Sequence, residues 1–239
     1  MRVQYARSKR CFEIRCERLK MVDKGICDDD LRSMVFVGET LGELYSKDPL
    51  LDDLSLLLKE ISDLDAVCAG EDWPFADADS ASRALHAMKE GLSAFADEDS
   101  LQDLALEYRR LFVGPGLLAA PPWGSVYTDR ECVAFGDSAI ELRQWMREKG
   151  IGLLYGEEEP VDHIGRMLLL MAWIARNQPG DIAEFLEKHL LTWASHFTHV
   201  VERSSYSAFY RGVAILTRST LKGIQEQLEL HVETPRFYR

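Results

Sequence analysis

Apolar positions recur on a helical period along most of this chain. Leu31, Met34, Val35, Leu41, Leu44 and Tyr45 fall on one helix face. Asp28, Asp29 and Asp30 suit the positive end of that helix, and Asp48-Pro49 ends it. A second helix is expected over residues 50–67, with Leu51, Leu54, Leu57, Leu58 and Ile61 inward. Trp73-Pro74-Phe75 follows as a plug for the core, then helices over 78–96 and 99–112. Ser138 and Glu141 have capping-box spacing for a helix ending at Lys149-Gly150. Glu159-Pro160 is placed to open the most apolar helix, with proline in the first turn where its missing N–H costs nothing. After a break at 177–181, Ile182, Phe185, Leu186, Leu190, Trp193, Phe197 and Val200 mark the next helix. A last one spans 207–230. No segment alternates with a strand's period of two. The pattern predicts an all-α helical bundle, a single domain whose two helical subdivisions meet around a central loop.

That loop interrupts the pattern. Between Glu107 and Ser138 lie three prolines and four glycines among crowded aromatics. Long ordered loops in helical proteins are uncommon and usually functional. Tyr108, Leu111 and Phe112 share a face of the preceding helix, and Pro121-Pro122-Trp123 sets an extended backbone beside a large ring. Tyr127 adds an amphipathic ring. These residues suit one wall of a peptide groove, with Glu159, Pro160, Asp162 and His163 as the other. The competing reading makes Trp123 and Phe112 plain core, since buried aromatics are common.

Charge narrows the classes further. The net charge of −12 repels phosphate backbones and anionic lipid, so no nucleic-acid partner is expected, whereas a basic partner is suited. The positive charge gathers in residues 1–24. No apolar stretch reaches the roughly 18–20 residues of a membrane span, and Met167–Ala175 reads as a buried helix. Residues 1–27 lack the apolar segment of an export signal and are read as an extension, with 28–232 as the helical domain and 233–239 as a tail. Five cysteines without C-x-x-C spacing point to reduced thiols and a cytoplasmic location.

Two chemical readings are weak. Phe135-Gly136-Asp137-Ser138 resembles the opening block of GDSL esterases, but it lies mid-chain, follows no strand and has no later Asp-x-x-His. His196 and His199 have metal-pair spacing, yet no carboxylate or cysteine cluster joins them to make up three ligands.

The combination of LF-x-GPG from Leu111, PPWGS from Pro121 and EPVDH from Glu159 resembles the TorD/DmsD family of redox-enzyme maturation chaperones. The likeness runs from Phe36 to the final helix and is densest between Leu111 and Trp173. It implies an all-α fold without catalysis. It also implies binding of the twin-arginine signal peptide of a molybdenum-cofactor oxidoreductase of the dimethyl sulfoxide reductase type. The client would be held until its cofactor is inserted and then released for export, with translocase components as further partners. By position, the resemblance assigns peptide contact to Leu111, Phe112, Trp123, Gly124, Ser125, Pro160, Asp162 and His163. It leaves direct contact with the molybdenum cofactor or GTP open, and likewise monomer against segment-swapped dimer. Tyr108 stands where relatives often carry tryptophan, and Gly116 where they carry a bulky aromatic. An assembly chaperone for the mature enzyme is the alternative, and an esterase using Ser138 a remote one.

Overall fold

Every regular element among the described residues of the computed structural model (26–93, 98–152 and 160–239) is a helix. In chain order these are α1 (Asp28–Ser46), α2 (Ser55–Asp63), α3 (Ala66–Glu71), α4 (Ala78–Ser93) and α5 (Glu98–Tyr108). A π-helical turn, Arg109–Val113, continues α5 into the loop. The one-turn α6 (Ser125–Thr128) lies within the loop, and α7 (Asp137–Glu148) and α8 (Ile164–Asn177) follow. A short 3-10 turn leads to α9 (Ile182–Phe185), a second π turn (Leu186–Leu190) and α10 (Leu191–Ser204). The chain closes on α11 (Ala208–Gln227).

The apolar faces explain the packing. α1 lies along α8, α4 against both α3 and α11, and α10 along α11. Ile164, Met167, Leu168, Leu170, Met171 and Ile174 are all buried, so α8 takes up the centre. Its length of 14 residues is about 21 Å at 1.5 Å per residue, too short to cross a bilayer. No described helix is long and apolar enough to do so. Trp73 closes the core as expected: it is partly buried against it, and its indole N–H donates to Thr220 Oγ1 at 2.9 Å.

Local chemistry moved several boundaries. The helix expected over 50–67 breaks at Leu64-Asp65, because the Asp65 carboxylate accepts from the amides of Val67 and Cys68 and starts α3. Pro160 does not open α8. The helix begins four residues later, where His163 Nδ1 accepts from the Gly165 amide at 3.2 Å. Ser138 is not a cap either: α7 starts at Asp137, with Gly136 in the capping position. Glu159 and residues 1–25 lie outside the described residues. Ile26 is buried, and the Cys27 amide donates to Asp30 Oδ2 at 3.1 Å, so these two residues of the expected extension pack with the helical domain.

Candidate functional site

The loop is anchored at its start by the π turn. Its fifth-residue hydrogen-bond spacing turns Leu111 and Phe112 fully inward. Phe112 meets Tyr45, Tyr108, Tyr210 and Phe197 with ring centroids 5.5–6.2 Å apart. The Tyr108 hydroxyl donates to the Tyr45 carbonyl at 3.1 Å. Glu107 and Arg110 pair through two hydrogen bonds of 2.7 and 2.9 Å, and Arg109 pairs with buried Asp48 at 2.7 Å. Gly114 and Gly116, with φ of 103° and 105°, then turn the backbone in a region that side chains disfavour. The amides of Ala119 and Ala120 return to the carbonyls of Arg110 and Leu111.

The two expected walls are stitched together. Trp123 and His163 form an isolated antiparallel bridge. The Ile164 amide donates to the Pro122 carbonyl at 2.7 Å, and the Gly124 amide to the Asp162 carbonyl at 3.2 Å. Asp162 Oδ2 accepts from the Ser125 amide at 2.7 Å, holding the first turn of α6. Both Trp123 and His163 remain half-buried, edge to face, with centroids 6.2 Å apart. Burial pushes the His163 imidazole down to about 4, so it is neutral at pH 7. Burial pushes the Asp162 carboxyl up, the Ser125 amide offsetting only part, and Asp162 Oδ1 has no hydrogen-bond partner among the described residues.

α6 rests on α10. The rings of Tyr127 and Trp193 stack with an interplanar angle of 14° and centroids 6.2 Å apart. Trp193 also packs on Gly124, where an added Cβ would meet its indole at 2.6 Å. The Tyr127 hydroxyl donates to the Pro121 carbonyl at 2.8 Å, and burial raises its pKa well above that of free tyrosine. Beyond α6, the Asp129 carboxylate fills the space that a side chain at Gly136 would need, facing the start of α7. Burial raises the Asp129 carboxyl, against the lowering effect of the Thr128 hydroxyl.

These placements sort the expected site residues. Tyr108, Leu111, Phe112, Tyr127, Ser125 and Asp162 are at most 4% exposed, and Pro122, Gly124 and Pro160 are buried with them. They support the loop from beneath and present no wall of their own. For Phe112 the core reading holds. Asp162, expected to meet a guanidinium, is instead 2% exposed and tied to a backbone amide. Only Trp123 and His163 of the described set keep open surface. Ser138 Oγ accepts from Thr128 Oγ1 at 3.1 Å, with no base on it among the described residues, which disfavours the esterase reading. His196 and His199 turn to separate carbonyls, of Arg239 and Ser195.

Sequence reasoning missed the last nine residues as part of this site. Residues 231–239 carry no regular structure, and the last two of them bond to the loop. The Tyr238 amide donates to the Tyr127 carbonyl at 2.9 Å, and an Arg239 guanidinium nitrogen donates to the Leu118 carbonyl at 2.7 Å. Phe237 stacks on His196 with centroids 4.1 Å apart. Beside the strap is an open cleft of about 710 Å³, lined by Asp129, Asp137, Glu141, Glu187 and Glu233 among others. Val232 and Phe237, apolar residues in a short polar tail, were a faint sign of burial.

Known proteins share this chain's pattern. The family model described as nitrate reductase delta subunit matches residues 78–199. The probable Tat proofreading chaperone DmsD of Haemophilus influenzae is 43% identical over 148 residues, covering 62% of this chain and 73% of that protein. The Tat proofreading chaperone DmsD of Salmonella typhimurium is 42% identical over 149 residues, with the same shares covered. The chaperone protein YcdY of Escherichia coli is 30% identical over 196 residues, 79% of this chain and 92% of that one. The chain belongs to the TorD/DmsD family of maturation chaperones.

Within the TorD/DmsD family match, the model span 78–199 runs from α4 to α10 and includes the whole stitched loop. The named relatives are chaperones, and no enzyme is among them.

Proposed function

We propose that this chain binds the twin-arginine signal peptide of a molybdenum-cofactor oxidoreductase in the cytoplasm and holds that client before export. The carrying observation is the Trp123–His163 bridge, which presents two half-buried rings on a rigid, backbone-stitched platform. Trp123 and His163 are the contact residues of this reading, and the buried members of the loop hold them in place. A twin-arginine leader carries two guanidinium groups followed by an apolar segment. The rings take the apolar part, and the acidic cleft beyond α6 suits the guanidiniums through charge-assisted, two-pronged hydrogen bonds. The neutral imidazole of His163 adds no positive charge to repel them. A few such contacts on a preformed surface give affinities on the order of micromolar, which allows release.

Calorimetric titration with leaders of molybdenum oxidoreductases, each beside its twin-lysine version, tests the reading. One leader binding, and losing at least tenfold when its arginines become lysines, is the expected result. Equal binding of both versions, or no binding of any leader, rejects it and favours a chaperone of the mature enzyme. Contacts with translocase components belong to the same proposal, and a pull-down from membranes with and without the leader tests them.

A further inference from the structure

The loop has a second peptide track, and the chain's own last residues lie on it. Three groups face the strap: the Tyr127 and Leu118 carbonyls of the loop and the His196 ring of α10. They take, in turn, a main-chain amide, an arginine and an aromatic ring. His196 Nε2 also meets the Arg239 carbonyl at 2.7 Å. Further back, the His231 amide donates to Glu187 Oε1 at 3.1 Å. The segment Arg236-Phe237-Tyr238-Arg239 therefore docks as an extended peptide, by backbone hydrogen bonds and side-chain anchors together.

We propose that this track forms part of the client-peptide site, that it takes an extended segment bearing arginine and an aromatic or apolar residue, and that residues 231–239 occupy it until a leader displaces them. The inference rests on the leader-binding reading above.

The chemistry matches on both sides. The strap carries two guanidiniums around an aromatic pair in a chain of net charge −12. It lies along the cleft lined by Asp129, Asp137 and Glu141. Lifting the strap leaves the outward carbonyls of Leu118 and Tyr127 without their donors, and an incoming extended peptide with an arginine replaces both. The strap has no helix or strand of its own, so it is free to lift without unfolding α11. Its occupancy lowers the fraction of chains ready to bind, which weakens the apparent leader affinity by that fraction.

The test uses the full chain, its Phe237→Ala/Arg239→Ala variant and its His196→Ala variant, all titrated with a leader that binds the wild type. The double variant should bind the leader roughly threefold to tenfold tighter, as the competing strap is loosened. In the wild type, a saturating leader should speed tryptic cleavage after Arg236, followed by mass spectrometry, because a docked segment resists protease and a lifted one does not. His196→Ala should weaken leader binding several-fold although it also loosens the strap, because the track loses its ring. Unchanged or weaker binding by the double variant, with an unchanged melting temperature, overturns the proposal. So does leader binding that leaves cleavage after Arg236 unaltered, or tighter binding by His196→Ala. In those cases leader binding itself stands and only the shared track fails. If no leader binds any form, the function reading has failed and this inference falls with it.

Discussion

The α carbon of Gly124 lies so close beneath the indole of Trp193 that a methyl group there would sit 2.6 Å from Cε2. α10 thereby sets the height of α6, and α6 in turn sets where Trp123 meets His163 through the Gly124 and Ile164 hydrogen bonds. The half-buried platform is a consequence of packing at the residue next to Trp123.

Gly124→Ala should therefore cost stability before it costs chemistry. Overpacking against a buried indole in a tight turn costs about 1–3 kcal/mol. Urea unfolding followed by circular dichroism should show a lower midpoint with an unchanged slope.

Trp123→Ala acts on the other side of the platform. The ring is half-buried, so its removal should lower leader affinity by about tenfold and leave the melting temperature within a few degrees. Calorimetry beside a thermal melt checks both parts. Wild-type affinity in this variant would remove Trp123 from the site.

Asp162 separates charge from clamp. Asp162→Asn keeps an acceptor for the Ser125 amide and removes a carboxyl whose ionisation burial opposes, so folding at pH 8 should be unchanged or slightly more stable. Asp162→Ala leaves the amide bare and should cost about 1–3 kcal/mol. Chemical unfolding of the two variants in parallel distinguishes these effects. The reverse order would mean that the charge itself holds the loop.

Acid should loosen the same region. His163 and His189 are both held down to about 4 by burial, so the unfolded chain binds protons that the folded chain refuses. Stability contributed by the neutral rings is fully present above the unfolded value of about 6.5 and is lost as pH falls toward 4. The raised Asp162 acts in the opposite sense, since the folded chain holds that proton more tightly. His163→Asn keeps an acceptor at the start of α8 and cannot titrate. Between pH 7 and 5 it should lose about 1–2 kcal/mol less stability than the wild type. Urea midpoints at the two pH values give the comparison.

Helix content, the inward faces and the interrupted centre were all legible in the chain. They follow from periodicity and from residues, such as Gly114 and Gly116, whose backbone preference is local. The family motif was legible as well, because LF-x-GPG, PPWGS and EPVDH occur together. Helix starts were less so. Asp65 broke a continuous apolar pattern with two side-chain hydrogen bonds, and His163 took the cap of a helix that Glu159-Pro160 was expected to open.

The sequence by itself determined which residues belong to the loop, since chemistry concentrates there in proline, glycine and aromatic side chains. Only the tertiary structure decided which of them face outward. Leu111, Phe112 and Tyr127 have the same apolar character as Trp123, and no local rule separates them. The separation comes from partners distant in the chain: Tyr45, Phe197 and Tyr210 enclose Phe112, Trp193 encloses Tyr127, and the Asp162–Ser125 bond pulls a carboxylate inward. The strap depends in the same way on His196, 41 residues before Phe237, because its seat exists only once α10 and the loop are packed together.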